Sequence, residues 1–333
     1  MQYRTMPVFQ RPLTVSILGG TGFVGQELTV RLARAGHAVR VLTRDRSHGD
    51  DLNTLASVEL LAGNVHNPDF LRARIDGSDV VVNLVGILNE RGFGGAGFRR
   101  AHVELTTALL RAISQAHVPR LLHMSALQAD AERGRSHYLR TKGEAERLVR
   151  ETGNRLDWTI FRPSVIFGSR DSLTNRFAAL LRLSHGVLPL ARPLARFAPI
   201  YVGDVVTAFM RSLYGGATSR ASYDLCGPEI MTLEQLVRAV ARAAQLPCHV
   251  LKLPDTVARV QALLMQLLPG KPFSTDNLRS LLTDSVCDHD GAGQLGLATA
   301  HLSELAPTWL SKASWSPRPD RTRGVRPDRS ASF

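Results

Sequence analysis

Tyr138 and Lys142 stand four apart in the string YLRTK. Residues at i and i+4 share one face of a helix, so a phenol and an ammonium would lie side by side. A phenol is a poor base near neutral pH, because its reference pKa is about 10. A neighbouring ammonium favours the phenolate and lowers that value. The same ammonium can hydrogen-bond a ribose hydroxyl, so the pair reads as a compact acid/base unit. Far upstream, LTVSILGGTGFVG (13–25) sets Gly19, Gly22 and Gly25 three apart. This is an apolar strand that breaks into a glycine turn and then a helix. Such a turn lets a pyrophosphate approach bare backbone at the positive end of a helix. A side chain at Gly19 would resist the turn, and one at Gly22 would sit where phosphate must approach. Gly25 lets the helix press against the strand. The two strings together point to a nicotinamide dinucleotide held beside a proton donor.

These residues need a scaffold that brings strand ends together. Strand patterns fall at 13–18, 37–43, 57–65, 79–85, 119–126 and 156–163. Helix patterns fall between them at about 23–35, 98–116 and 137–152. Alternation of this kind predicts an α/β fold with a doubly wound parallel sheet (Rossmann) and a smaller C-terminal substrate-side lobe. VVVNLVGIL (80–88) is apolar on both faces, as in a parallel strand covered by helices. After residue 169 the rhythm becomes mixed, with Pro189, Pro193 and Pro199 punctuating it. YDLCG (223–227) reads as a further strand and 232–246 as a helix capped by Thr232. The expected division is an N-terminal extension at 1–12, a dinucleotide-binding domain at 13–168, a mixed substrate or lid lobe at 169–313, with some segments returning to the sheet, and a disordered basic tail at 314–333.

Composition narrows the class. The chain has 333 residues, 44% of them hydrophobic, and a formal net charge of +12. Only Lys142, Lys252, Lys271 and Lys312 among its basic residues are lysines. The positive charge is spread along the chain with no basic helix or aromatic-interleaved patch, so no nucleic acid is expected as a partner. Attraction to anionic lipid heads fits the charge better. No apolar run approaches the length of a bilayer span. Cys226, Cys248 and Cys287 show no paired spacing, so neither a disulfide framework nor a zinc site is indicated, and no metal is expected.

The motifs in order resemble the short-chain dehydrogenase/reductase superfamily in its extended or atypical form. They are GGTGFVG, GNV at 63–65, NLVG at 83–86, YLRTK, FRPSVIFG at 161–168, IYVGDVV at 200–206 and GPEIMTLEQLV. The strings HVELTTALLRAISQAHVPRLLHMSAL, YLRTKGEAERLVR and FSTDNLRSLLTDSV resemble the group of the NADPH-binding accessory subunit of respiratory complex I and its bacterial relatives. The resemblance implies that Gly19, Thr21, Gly22, Phe23, Val24 and Gly25 wrap the pyrophosphate. Asn64 and Val65 would line the adenine, and Val85 and Gly86 would pass beneath the adenosine side. Tyr138 and Lys142 would flank the nicotinamide ribose, and Pro163 would supply backbone contacts to the nicotinamide.

Cofactor choice is read at the end of the second strand, VLTRD. Thr43 stands where NAD-preferring members place an acid, and Arg44 follows. A guanidinium suits a 2′-phosphate, so NADP(H) is favoured over NAD(H), although Asp45 would restore an acid if the register moved by two. Active members also carry a hydroxyl after the fifth strand. Here Ala126 fills that position and Ser125 precedes it. Either Ser125 serves through a local bend or the triad is incomplete. His123 reads as a packed core histidine, and His102 is given no role.

Two functions follow. One is an oxidoreductase on a carbonyl, alcohol or quinone-related lipophilic substrate, with Tyr138 as acid/base. The other is a non-catalytic NADPH-binding accessory or assembly protein of a membrane-associated respiratory or quinone-biosynthesis complex. A helix around 254–268 has an amphipathic face that a lid would pack on the sheet domain and that a membrane surface or partner would use instead. The expected location is cytoplasmic, peripheral to the inner membrane.

Overall fold

The computed structural model describes residues 11–90, 92–267 and 273–311; the tail expected at 314–333 and most of the N-terminal extension lie outside the described residues. The first half alternates as its hydrophobic pattern requires. β1 (Thr14–Leu18) leads through the glycine turn into α1 (Phe23–Arg34), then come β2 (Ala38–Thr43), β3 (Val58–Ala62), α2 (Pro68–Ile75) and β4 (Val80–Asn83). The helix expected at 98–116 is built in three pieces. α3 (Ala96–Arg99) and α4 (Leu105–Gln115) are joined through a π-helical segment, Arg100–Glu104. Such segments re-aim side chains and recur at functional sites. β5 (Arg120–Met124), α5 (His137–Arg150) and β6 (Asp157–Pro163) follow.

The second half adds β7 (Ile166–Phe167), α6 (Leu173–Leu183), β8 (Val187–Ala191), β9 (Arg196–Phe197), β10 (Ile200–Tyr201) and α7 (Val202–Arg211). Beyond these lie β11 (Ala221–Leu225), β12 (Met231–Thr232), α8 (Leu233–Ala243), β13 (His249–Leu253), α9 (Asp255–Met265) and α10 (Thr275–Ser280). Thr232 caps α8, with Gln235 returning a bond to the Thr232 backbone.

Seven strands form one parallel sheet in the order β11-β6-β5-β4-β1-β2-β3. β4 is buried along its whole length, as a central parallel strand covered on both faces should be. On one face Ile17, Leu28, Val41, Leu122 and Phe161 pack with Phe209 of α7. On the other, Leu18, Val81 and Leu121 pack with Leu109 of α4 and Val149 of α5. A separate core holds the second lobe together through Phe167, Leu188, Leu236 and Val240.

The cysteine expectation is corrected. Cys226 and Cys287 form a disulfide across a sequence separation of 61 residues, while Cys248 is free. Spacing could not show this, because the pairing arises only when the segment after α10 folds back against the end of β11. Ser285 marks the same return, its carbonyl accepting from Ser164 Oγ at 2.6 Å and from the Ala198 N–H at 3.0 Å.

Candidate functional site

The glycine turn is built for close approach. Gly19 adopts φ +80°, and a Cβ there would lie 3.0 Å from the Leu84 carbonyl carbon beyond β4. A Cβ on Gly25 would lie 2.2 Å from the Gly19 carbonyl oxygen, so only glycine lets α1 start this near the turn. Gly22 differs: a Cβ there meets only the Gly19 oxygen, at 3.2 Å, and otherwise open space. Gly22 is also the N-cap of α1, and no side chain caps that helix or places an acid in its first turn. The positive end of a twelve-residue helix thus faces open space over bare backbone, the arrangement a pyrophosphate fits. Thr21 closes the turn by accepting from Gln26 Nε2 at its carbonyl, and Phe23 and Val24 open the helix, with Val24 buried.

The Gly19 turn abuts Leu84 and Val85, and Val85 leads to the lysine. Lys142 is 4% exposed, and its Nζ donates to the Val85 carbonyl at 3.2 Å and to the Met124 carbonyl at 3.0 Å. A Cβ on Gly86 would lie 3.1 Å from that Nζ, so glycine makes room for the ammonium. Burial pushes Lys142 down to about 8, against the pull of Glu146. Tyr138 lies one turn earlier on α5. Burial pushes its phenol up to about 12, which corrects the expectation of a lowered value. The physical reason is that desolvation of the phenolate outweighs any help from the ammonium, which is already held by two carbonyls.

Ser125 extends β5, since its N–H donates to the Phe161 carbonyl at 2.8 Å and the Leu127 N–H donates to the Pro163 carbonyl at 3.0 Å. Its Oγ is buried without a hydrogen-bond partner among the described residues. Alternation along the extended strand puts Ser125 on the α4/α5 face with Leu121 and His123, and Ala126 on the opposite face. His123 is a core histidine, bonded through Nδ1 to Asn83 Nδ2 at 3.2 Å and pushed down to about 3 by burial and then by Lys142.

His102, which sequence reasoning passed over, lies against the tyrosine. Its ring stands edge-on to Tyr138 at 5.6 Å. The Ile87 N–H donates to His102 Nε2 at 3.2 Å, so Nδ1 carries the proton and donates to Thr141 Oγ1 at 2.8 Å. Thr141 in turn donates to the His137 carbonyl. Burial pushes His102 down to about 2, so the ring is neutral. The π-helical segment is what turns it inward. A second unforeseen residue is Asp276 on α10. Its carboxylate accepts from the His137 N–H at 2.7 Å and the Tyr138 N–H at 3.1 Å. The second lobe therefore holds the first turn of the helix that carries Tyr138. The string FSTDNLRS contains Asp276, but nothing in its spacing reveals what lies opposite.

At the other end, Thr43 closes β2 and Arg44 is the first residue beyond it, exposed. The register is therefore the one expected, and Asp45 lies further along, its N–H bonded to Thr43 Oγ1. His66 is held below its ordinary value by burial, then by the charge of Arg100, against Glu104 and with a smaller push from Arg44, so two guanidinium groups and a neutral imidazole lie near the strand end. Asn64 Oδ1 accepts from the His66 N–H at 3.0 Å. Val65 packs its side chain into the core beside Leu18 and Leu61. Pro163 is the buried last residue of β6.

A mostly parallel sheet with a glycine turn at β1 and a Y-x-x-x-K helix beyond β5 defines a dinucleotide-binding dehydrogenase scaffold. A family model described as NAD(P)H-binding matches residues 19–178. The chain is 30% identical over 247 residues to the ceramide reductase of Caulobacter vibrioides, covering 72% of this chain and 74% of that one. It is 25% identical over 305 residues to the mitochondrial NADH-ubiquinone oxidoreductase 40 kDa subunit of Neurospora crassa, covering 89% and 78%. Its fold is shared by the UDP-glucose 4-epimerase of Thermotoga maritima, with a TM-score of 0.70, 15% identity, and 89% and 96% of the two chains covered. The chain belongs to the atypical, extended short-chain dehydrogenase/reductases, in the group of the complex I 40 kDa accessory subunit and its bacterial relatives.

Proposed function

We propose that this chain is an NADPH-dependent reductase of a lipophilic carbonyl compound, a ketone or quinone, with residues 13–168 as the cofactor domain and 169–313 as the substrate-side lobe. The observation that carries the reading is the buried contact of Lys142 with Val85 and Met124, which sets the Tyr138 helix at the same strand ends as the glycine turn. NADPH, when bound, supplies the hydride. Tyr138 gives the proton to the substrate oxygen: a phenol pushed up to about 12 is protonated at neutral pH, the state a reductase needs. Lys142 holds the ribose and, as an ammonium, stabilises the phenolate left behind. Gly19, Thr21, Gly22, Phe23, Val24 and Gly25 cradle the pyrophosphate, with Asn64, Val65, Val85, Gly86 and Pro163 along the rest of the cofactor. Arg44 takes the 2′-phosphate, with the charge of Arg100 nearby. The Ser125 hydroxyl at the strand end lacks a partner among the described residues, and it orients the substrate oxygen. A relative that acts as a ceramide reductase supports a lipophilic substrate. The chain then works on the cytoplasmic side at the edge of a membrane.

A second reading has its own observation. Ala126 stands where the resemblance puts the hydroxyl partner of the tyrosine, and a relative is a respiratory-complex subunit. In that reading NADPH is a structural or sensing ligand within an assembly. One experiment separates them. The purified chain is titrated with NADPH and NADH by fluorescence, then assayed for NADPH oxidation with long-chain ketones and quinones, beside Tyr138→Phe. The reductase reading expects tighter NADPH binding and turnover that drops at least a hundredfold in Tyr138→Phe, roughly the scale of an acid/base contribution. Tight NADPH binding with no Tyr138-dependent turnover refutes it, and tighter NADH binding refutes the role of Arg44.

A further inference from the structure

α9 is built inside out. Its small residues, Ala258 and Ala262, face the protein and pack with Ala191 and Leu278. Its large aliphatic residues face water: Val257 and Val260 are about half exposed, Leu264 is 62% exposed, and Leu267 just past the helix is 71% exposed. These positions follow one stripe along the helix, with Leu263 beside it. Ordinary surfaces scatter such side chains singly; a contiguous row marks an interaction surface.

The row continues toward the candidate site. Gln266, the residue that ends α9, lines one small cleft with Phe93, Phe98 and Asp276. Phe93 is 64% exposed at the outer edge of that cleft. Phe98 lies at its inner side, edge-on to the Tyr138 ring at 6.2 Å. Exposed Leu88 flanks the same place, its carbonyl accepting from Asn277 Nδ2 of α10. Glu90, Ser274 and Thr275 also line this cleft, so its apolar part is the pair Phe93 and Phe98, which leads from the end of α9 toward the ring of the tyrosine.

Charge identifies the occupant. Arg259 is exposed beside the stripe, and the whole chain carries +12, while Lys252 on the adjoining strand β13 is already paired with Glu234 at 3.2 Å. A second copy with the same charge is repelled, whereas an anionic surface is attracted. We propose that the α9 face, with Phe93 and Leu88, docks on a bilayer containing anionic lipid, and that docking presents the mouth of the site to the acyl layer. This deepens the lipophilic-substrate reading above, on which only its last clause rests. An interfacial helix of this kind lies in the membrane plane with its apolar side among the acyl chains.

The test is vesicle flotation of the full chain at low and high salt. Vesicles of phosphatidylcholine alone are compared with vesicles that also contain phosphatidylglycerol. The chain is expected to float with the mixed vesicles at low salt and to lose part of that binding at high salt. The double variant Val260→Glu/Leu264→Glu should bind at least tenfold more weakly. Both substitutions are at exposed positions, so melting and the NADPH titration should not change, and that titration reports on the cofactor reading separately. Absence of flotation by the parent chain would overturn the proposal. So would a double variant that floats equally well, or a parent chain that is a dimer converted to monomer by the same changes, which would make a second copy the occupant.

Discussion

Replacing Asp276 by alanine removes the acceptor for two backbone N–H groups in the first turn of α5, those of His137 and Tyr138. Asp276 is 8% exposed, so water cannot freely take its place. Loss of a capping side chain costs about 1 kcal/mol, and hydrogen bonds to a charged acceptor reach about 1.5–3 kcal/mol each. The carboxylate also sits at the positive end of a fourteen-residue helix. A loss of about 2–4 kcal/mol for the local structure follows, which is a factor of roughly 30 to 1000 in its opening equilibrium. The Ser136 hydroxyl still accepts from the Leu139 N–H and from Ser280 Oγ, so the helix should fray by one turn rather than unfold. Hydrogen exchange followed by mass spectrometry on peptides spanning 130–142 reads this directly. Exchange at His137 and Tyr138 should accelerate by that factor, and exchange at 145–150 should not. Asp276→Asn, which keeps one acceptor oxygen, should fall between. NADPH affinity should change less than threefold, because Lys142 lies beyond the frayed turn, while any Tyr138-dependent turnover falls much further. Parent-like exchange in Asp276→Ala would refute the idea that the second lobe holds the tyrosine in place.

Three further outcomes follow from the geometry. Gly22→Ala should fold normally and lose NADPH binding, because its Cβ meets only open space where phosphate would lie, whereas Gly25→Ala should destabilise the chain itself, its Cβ landing 2.2 Å from a carbonyl oxygen; melting and fluorescence titration distinguish the two. His102 and His123 are pushed down to about 2 and about 3 from 6.5, so the unfolded chain takes up protons below 6.5 that the folded chain refuses. Stability should therefore fall as pH drops through 6.5, by about 2 kcal/mol per histidine at pH 5, and denaturant titration of His123→Asn should show a shallower slope. Thiol titration of the oxidised, denatured chain should count one thiol, Cys248, rising to three after reduction. Reduction should lower stability by about 4 kcal/mol for a loop of this size, and three thiols at the outset would show that the Cys226–Cys287 bridge does not form.

The legible part of this protein was the part written in local pattern. β1, the glycine turn and α1 are contiguous, and each glycine has a single steric reason, so spacing alone located them. Tyr138 and Lys142 were legible because both sit on one helix at a fixed offset. The register of Arg44 was legible because β2 ends in an apolar run. What escaped were groups whose partners are distant in sequence. Asp276 meets His137 across 139 positions, and Cys226 meets Cys287 only because the chain returns to β11. His102 escaped for a different reason: a helical pattern at 98–116 gives no sign of a π-helical segment that turns one residue inward. The phenol was misjudged because sequence reveals the neighbouring charge but not how much water is removed from both groups.

The choice between a reductase and a binding protein comes down to Ser125 and Ala126. Continued pairing of Ser125 and Leu127 with β6 leaves no bend that would bring Ala126 round to α5. A methyl group cannot hold a substrate oxygen in any case, so Ser125 is the candidate for the second hydrogen bond. Its hydroxyl is buried, has no protein partner among the described residues and follows the strand on the α5 face; since the Thr29 and Ser212 hydroxyls are buried and unpartnered too, it is the place at the end of β5 that sets Ser125 apart. Leaving such a group unpaired costs about 1–3 kcal/mol, a cost that a substrate oxygen would remove on binding. Ser125→Ala therefore separates the two readings. If the chain is a reductase, the variant should lose roughly a hundredfold in turnover, the scale of one donor to a developing oxyanion, while gaining or holding thermal stability. If the chain only binds NADPH, the same change should raise stability and alter nothing else.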